Sequence, residues 1–249
     1  MRTVITKDIS HFSDFKNQLL HWANQHREVV FLDSNKYHQK YSSYDAVLAV
    51  NAFTSIKTDY ENAFQDLYQY QSQTQDWLFG YLSYDLKNDT EALQSNNFDG
   101  LAFPDLFFFQ PKKLFLIKEN QVEIQYLRMC DDEIETDFEE IISTTSITHH
   151  PSSISIKQRI SKENYLSKVS KMLEHIHRGD IYEANFCMEF YAEKAQIEPL
   201  EIYQKLNAIS EPPFAVYFKN NFQYLLSASP ERYLRKEGLK VISQPIKGT

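Results

Sequence analysis

The sequence predicts an α+β protein with large, mostly antiparallel β-sheets and flanking helices, and three observations point to it. Short apolar, β-branched runs bounded by Asn, Ser and Asp recur through the first half of the chain. Tight-turn residues separate paired runs, which joins neighbouring strands antiparallel. Helical periodicities are inserted among these strands and do not alternate regularly with them. The 5 glycines among 249 residues are scattered, so no Gly-rich phosphate cradle exists and a P-loop or dinucleotide-binding fold is excluded.

The elements follow in order. "VVFLDS" (29–34) and "YDAVLAV" (44–50) suit buried strands. Between Asp59 and Tyr70, the residues Tyr60, Ala63, Phe64, Leu67 and Tyr68 recur at helical spacing. In "LFFFQPKKLFLIKENQVEIQYL", Glu119 and Asn120 separate two apolar-rich runs and predict a hairpin. An acidic stretch then reads as a short helix, followed by a Ser/Thr-rich connection over 143–155. His149 and His150 sit in that connection; adjacent side chains point apart and lack a third ligand, which favours a solvated loop over a metal site.

Ser161 is placed to cap a helix whose apolar positions Tyr165, Val169, Met172 and Ile176 share one face, and Gly179 to close it. In "DIYEANFCMEFYAE" the period changes to two, which predicts a strand with Glu183 on its polar face. A second helix runs through "EPLEIYQKLNAIS", with Pro199 in its first turn and a stripe of Ile202, Leu206 and Ile209. Two further hairpins follow, one turning at Asn220 and Asn221, the other a three-residue turn centred on Glu237.

Composition bounds the function. A hydrophobic content of 42% with 14% aromatics fills a substantial core. A net charge of −8 without a dense Lys/Arg block argues against nucleic acid or an anionic membrane as partner. Cys130 and Cys187 have no metal-ligand spacing, no apolar run is long enough to span a membrane, and the first residues lack a signal-peptide core. These features predict a cytoplasmic protein with reduced thiols.

Two ionisable residues stand out. Glu231 follows Ser229-Pro230 where a strand ends, and Lys247 lies between Ile246 and Gly248 at the far end of the next strand. An amine among apolar neighbours loses preference for its charged form and becomes a plausible nucleophile, and a partly desolvated carboxyl a plausible general acid; a three-residue turn would put the two on one face but about 13 Å apart in a straight ladder. The same pair also fits an ordinary surface salt bridge. The final "SQPIKGT" has neither a polar tail nor a closing helix.

"GDIYEAN", "SASPER" and "PIKGT", in this order, resemble the chorismate-utilising enzymes, and PIKGT resembles the aminodeoxychorismate synthase component I branch. "WLFGYLSYDL" and "FPDLFFFQPKKLFLI" are similar to the family's N-terminal region. The resemblance implies the anthranilate synthase component I fold, with an N-terminal region over 1–142, a connection over 143–155 and the start of the chorismate-binding region over 156–249. Relatives continue past PIKGT, so a C-terminally truncated chain, inactive by itself, is expected; a frame that ends at Thr249 would instead favour a non-catalytic chorismate- or tryptophan-binding module.

The implied reaction is amination of chorismate in p-aminobenzoate and folate biosynthesis. Lys247 matches the lysine that attacks C2, and Glu231 the general acid for the departing C4 hydroxyl. Gly248, Thr249 and Glu183 match substrate-pocket positions. Glu183 stands where ammonia-using relatives often carry glutamine and water-using ones lysine. Anthranilate synthases typically have alanine at position 247, which makes them the alternative. The resemblance further implies Mg²⁺ with its ligands beyond residue 249, ammonia from a glutamine amidotransferase subunit, and a tryptophan pocket at Leu32, Ser34, Pro213 and Phe214.

Overall fold

Strand alternation decides the architecture. The computed structural model describes residues 1–37, 43–91, 93–145 and 154–244. The chain forms two compact units, one from Met1–Ile147 with Pro199–Pro230, the other from Thr148–Glu198 with Glu231–Thr249.

The first unit begins with β1 (Arg2–Asp8), α1 (Phe15–Ala23), β2 (Glu28–Asp33), β3 (Ala46–Thr58), α2 (Ala63–Thr74) and β4 (Phe79–Leu82). A 3₁₀ turn leads into the single turn α3 (Lys87–Thr90), then β5 (Leu106–Lys118), β6 (Gln121–Leu127) and α4 (Ile134–Ser143). The second unit holds β7 (Lys157–Gln158), α5 (Lys162–Arg178) and β8 (Phe190–Tyr191). The chain then returns to the first unit for α6 (Pro199–Ser210), β9 (Phe214–Asn220) and β10 (Gln223–Ser229), and ends in the second with β11 (Arg232–Glu237) and β12 (Lys240–Gln244).

The first unit is an eight-stranded antiparallel sheet in the order β1-β6-β5-β3-β2-β9-β10, with β4 paired to β5 beside this path. Alternate residues pack on opposite faces. Val29, Phe31, Leu48, Val50, Phe115 and Ile117 meet the apolar faces of α1, α4 and α6 in the main core. Val30, Ala49, Leu114 and Leu116 face the other way, where Phe79, Phe107, Phe109 and Phe218 form a second cluster.

Pro111 lies inside the central strand β5, where its missing N–H would break the ladder; β3 answers with a register shift between Ala52 and Thr54. Beyond that shift β5 changes neighbours, pairing β6 from Lys113 to Lys118 and β4 from Leu106 to Phe109. Gly80 permits the second pairing, since a Cβ there would lie 1.9 Å from the Phe107 carbonyl oxygen.

The expected hairpins form, with adjusted turns. Glu119 and Asn120 make a two-residue turn, with Lys118 opposite Gln121. In the β9–β10 hairpin the turn residues are Asn221 and Phe222, and Asn221 takes a φ of 53°. The last hairpin turns on two residues, Gly238 and Leu239, and sets Glu237 opposite Lys240; the three-residue turn is overturned because Gly238 adopts a φ of +57° that a tight two-residue turn exploits. Ser161 caps α5 by accepting the Asn164 N–H at 3.3 Å, and Gly179 closes the helix with a φ of 84°. On α6 the buried residues are Leu200 and Tyr203, while Ile209, placed on the buried stripe by periodicity, is exposed.

A buried ion cluster locks α4 onto the sheet. The Lys113 ammonium donates to Asp137 at 2.5 Å and pairs with Glu133 at 2.6 Å, and the Tyr126 hydroxyl donates to Asp137 at 2.7 Å. Burial alone would lower the Lys113 pKa, but its two carboxylate partners carry it above the usual lysine value. His26 packs edge-on against Trp22 beside this cluster, and burial followed by the charge of Lys113 lowers its pKa to about 4.

Two outcomes follow. Asp137→Ala leaves a buried ammonium with one half-exposed partner and should cost about 3 kcal/mol, read by urea denaturation through the fluorescence of Trp22, which lies 5.6 Å from that ammonium. His26 stays neutral in the fold below the pH at which it protonates in the unfolded chain. First-unit stability should therefore fall as pH drops from 6.5 toward 4, by an amount on the order of 2 kcal/mol after allowing for its partial exposure, and His26→Gln should flatten that slope.

Candidate functional site

The β2–β9 pairing assembles the first candidate site. Leu32 lies opposite Val216 and Asp33 opposite Ala215 in an antiparallel register, which brings the end of β2 to the start of β9. Leu32, Ser34, Pro213 and Phe214, far apart in sequence, thereby come together. The Asp33 side chain is buried on the α1 side, where it accepts from the Lys16 ammonium at 2.7 Å.

After β2 the chain turns sharply. Asn35 and Lys36 have φ values of 48° and 63°, and the Asp33 carboxylate steadies the turn by accepting the Asn35 N–H at 2.9 Å. The Asn35 amide donates to the Asn207 side chain at 2.7 Å and to the Pro212 carbonyl at 2.8 Å, and the Asn207 amide donates back at 2.9 Å. This reciprocal pair fastens the proline loop to the β2 turn. A cavity of about 560 Å³ lies on the Asp33 side, lined in part by Lys16, Asp33, Asn35, Asn207 and Glu211.

Ser34 has a different environment. Its N–H donates to the Asp45 carbonyl at 2.9 Å, but its hydroxyl oxygen is buried and has no hydrogen-bond partner among the described residues. A buried hydroxyl without a partner carries a desolvation cost that a ligand's polar atom would relieve.

The second unit carries the other candidates. Glu231 is half-buried and immediately precedes β11. Its neighbour Arg232 donates to the Gln244 side chain at 3.4 Å, and burial followed by repulsion from Arg235 lowers the pKa of the Arg232 guanidinium. Glu183 is exposed in a segment without regular structure, which corrects the expected strand. The reason is pairing: β7 offers two residues, which bond Phe190 and Tyr191, so residues 181–189 have no ladder to join. Arg159 reinforces that short pair, donating to both Glu189 carboxylate oxygens at 2.8 and 2.9 Å with its guanidinium carbon 3.7 Å from the Tyr191 ring centre.

Lys247, Gly248 and Thr249 lie outside the described residues, as do His149 and His150. Among the described residues no three His, Cys, Asp or Glu side chains are grouped to hold a metal ion, and no helix is long and apolar enough to cross a membrane.

Residues 20–249 match the family described as chorismate binding enzyme. The chain belongs to the chorismate-binding enzymes. An "Anthranilate synthase component I-like protein" of Synechocystis is 30% identical over 178 residues, which is 70% of this chain and 36% of the relative. "Aminodeoxychorismate synthase component 1" of Escherichia coli is 29% identical over 93 residues, 37% of this chain and 20% of that one. The crystal structure of anthranilate synthase component I from Streptococcus pneumoniae superposes with a TM-score of 0.66 at 16% identity, over 82% of this chain and 54% of that one. The chain thus spans about half of that solved structure and about a third of the Synechocystis relative. The large antiparallel sheet with flanking helices is the fold expected of this chorismate-binding sequence.

Sequence reasoning missed the buried Asp33–Lys16 pair and the Asn35–Asn207 amide pair. The signal for the second was present, because Asn tolerates left-handed backbone and follows a strand-ending Asp-Ser. Ser34→Ala should leave stability unchanged or raise it by about 1 kcal/mol in thermal unfolding without ligand, since an unpaired buried hydroxyl is removed.

Proposed function

We propose that this chain, with the rest of the chorismate-binding fold in place, aminates chorismate to 4-amino-4-deoxychorismate. The observation that carries this reading is the lysine at position 247, within the sequence PIKGT. The E. coli relative named aminodeoxychorismate synthase component 1 supports it.

In the proposed reaction the neutral Lys247 amine forms a bond to C2 of the ring. The ring double bonds shift, the C4–O bond breaks, and Glu231 delivers the proton that lets the hydroxyl depart as water. Ammonia then bonds to C4, the shift reverses, and the C2–N bond to Lys247 breaks. Thr249 and Gly248 would border the substrate, and Glu183 would lie near the incoming nucleophile. A glutamine amidotransferase subunit would supply ammonia. Mg²⁺ would neutralise the substrate carboxylate when bound, and its ligands would come from the part of the fold beyond residue 249. The buried hydroxyl of Ser34, beside Leu32, Pro213 and Phe214, supports a separate tryptophan pocket in the first unit.

Anthranilate synthesis is the second reading, favoured by the names of the Synechocystis relative and the Streptococcus structure. The two are separated by supplying chorismate, ammonia and Mg²⁺ to the assembled enzyme. p-Aminobenzoate should appear only after the lyase that releases it is added; fluorescent anthranilate without the lyase would replace the amination reading. Lys247→Ala should abolish product, and Glu231→Gln should lower turnover by about 10²- to 10⁴-fold. Tryptophan should bind the parent chain in calorimetry and bind Ser34→Ala at least tenfold more weakly.

A further inference from the structure

The cavity beside Asp33 serves neither the amination reading nor the tryptophan pocket. Its volume of about 560 Å³ lies within the range of small-molecule sites. The loop after β1, the start of α1, the turn after β2, the β5–β6 turn and the end of α6 wall it, and all of them belong to the first unit. Asp33 follows Phe31 by two residues on the sheet face that carries α1, and Ser34 is not among the residues that line the cavity.

Charge in this cavity is divided into two poles. Lys16 and Asp33 pair at 2.7 Å, and the Asp33 side chain is only 8% exposed. The bonds from the Lys16 ammonium and the Asn35 N–H both fall on Asp33 Oδ1, which leaves Oδ2 for another donor. The ammonium in turn keeps two further N–H donors. The helix ends repeat this polarity. α1 starts at the cavity with first-turn N–H groups that the Asp14 side chain does not cap, because that carboxylate accepts from the Asn17 amide instead. α6 ends at the same cavity beside Glu211, so the positive end of one helix dipole and the negative end of another border one space. Tyr203, one turn before Asn207 on α6, adds an unmatched polar group: its hydroxyl is buried without a hydrogen-bond partner among the described residues, and burial followed by the charge of Asp33 raises its pKa. Ile9, Phe15 and Ile117 supply a buried apolar wall.

A ligand with one charge would satisfy one pole and repel the other, whereas a ligand with both charges can join the Lys16–Asp33 pair without breaking it. We propose that the cavity between α1, α6 and the turn after β2 binds a small zwitterion of the apolar α-amino-acid class, its ammonium on Asp33 Oδ2 and its carboxylate on Lys16 at the first turn of α1. The proposal rests on neither the amination reading nor the tryptophan pocket at Ser34.

The test titrates the 249-residue chain in calorimetry with L-leucine, which carries both charges, and with isoamylamine and isocaproate, which carry one each. L-Leucine should bind, and each single-charge probe should bind at least tenfold more weakly. Lys16→Met removes the cationic pole and frees Asp33, so L-leucine should weaken at least tenfold while isoamylamine binds more tightly. A general disturbance of the fold would weaken both. Ser34→Ala should leave L-leucine binding unchanged. Absence of saturable binding by L-leucine would overturn the proposal, as would equal affinity for the three probes. So would a Lys16→Met variant that weakens isoamylamine along with L-leucine or that weakens neither, or loss of L-leucine binding in Ser34→Ala, which would place the zwitterion in the other pocket.

Discussion

The ladder between β2 and β9 is the constraint on which the first unit depends. Six pairs, from Glu28–Asn220 to Asp33–Ala215, join segments from opposite ends of the chain. Alternation pins the register, because Val29, Phe31 and Tyr217 belong to the helix-side core, Val30 and Phe218 to the other face. A slip of one residue would exchange those sets. Polar bonds add a second lock: the Tyr217 hydroxyl donates to the Asn24 side chain at 2.6 Å and the Lys219 ammonium to the Asn24 carbonyl at 2.5 Å, across 193 and 195 residues of sequence. Closing so long a loop costs little more than closing one of half the length, so a short, well-packed ladder can hold it.

Charge is handled differently from apolar surface. Lys113 occupies a position that alternation assigns to the core, and it is tolerated because Asp137 and Glu133 meet its ammonium and Tyr126 completes the Asp137 shell. Arg2 uses the same solution near the Pro111 register shift, bonding both Asp76 carboxylate oxygens at 2.9 and 3.0 Å and the Pro111 carbonyl at 2.6 Å. Such groups add less net stability than apolar residues of similar volume, but they penalise any packing that separates the partners. Each fixes a place where the sheet meets something that is not sheet: α4 for Lys113, the β4 approach for Arg2.

Local chemistry was legible in the sequence where neighbours decide it. The Ser161 cap, the Gly179 stop and the Glu119–Asn120 turn depend on a few adjacent residues, and each could be read directly. The strand through Glu183 could not, because a period of two reports a residue's preference and says nothing of whether a partner strand is present. Ile209 failed similarly: three apolar residues of α6 mark a stripe, but Phe31 and Tyr217 select Tyr203 as the buried one, with ring centres at 6.4 and 5.5 Å. For the first candidate site, Leu32, Ser34, Pro213 and Phe214 could be named only through the resemblance. Their juxtaposition rests on a ladder that no local pattern announces, and the Asn35–Asn207 bond that tightens it joins residues 172 apart.

The same ladder also sets the hairpin that follows it in the first unit. Ser34 lies one residue beyond β2, and β9, paired to β2, holds β10 along seven residue pairs up to Phe214–Ser229. Glu231 is two residues further on, separated from β10 by Pro230 alone, whose ring restricts the backbone at that step. A ligand seated against Ser34 would bind the paired state of β2 and β9 and not the unpaired one, and so would stabilise that state in proportion to its occupancy. β2, β9 and β10 thus share one register, set by the alternation that buries Val29, Phe31 and Tyr217 on one face and Val30 and Phe218 on the other.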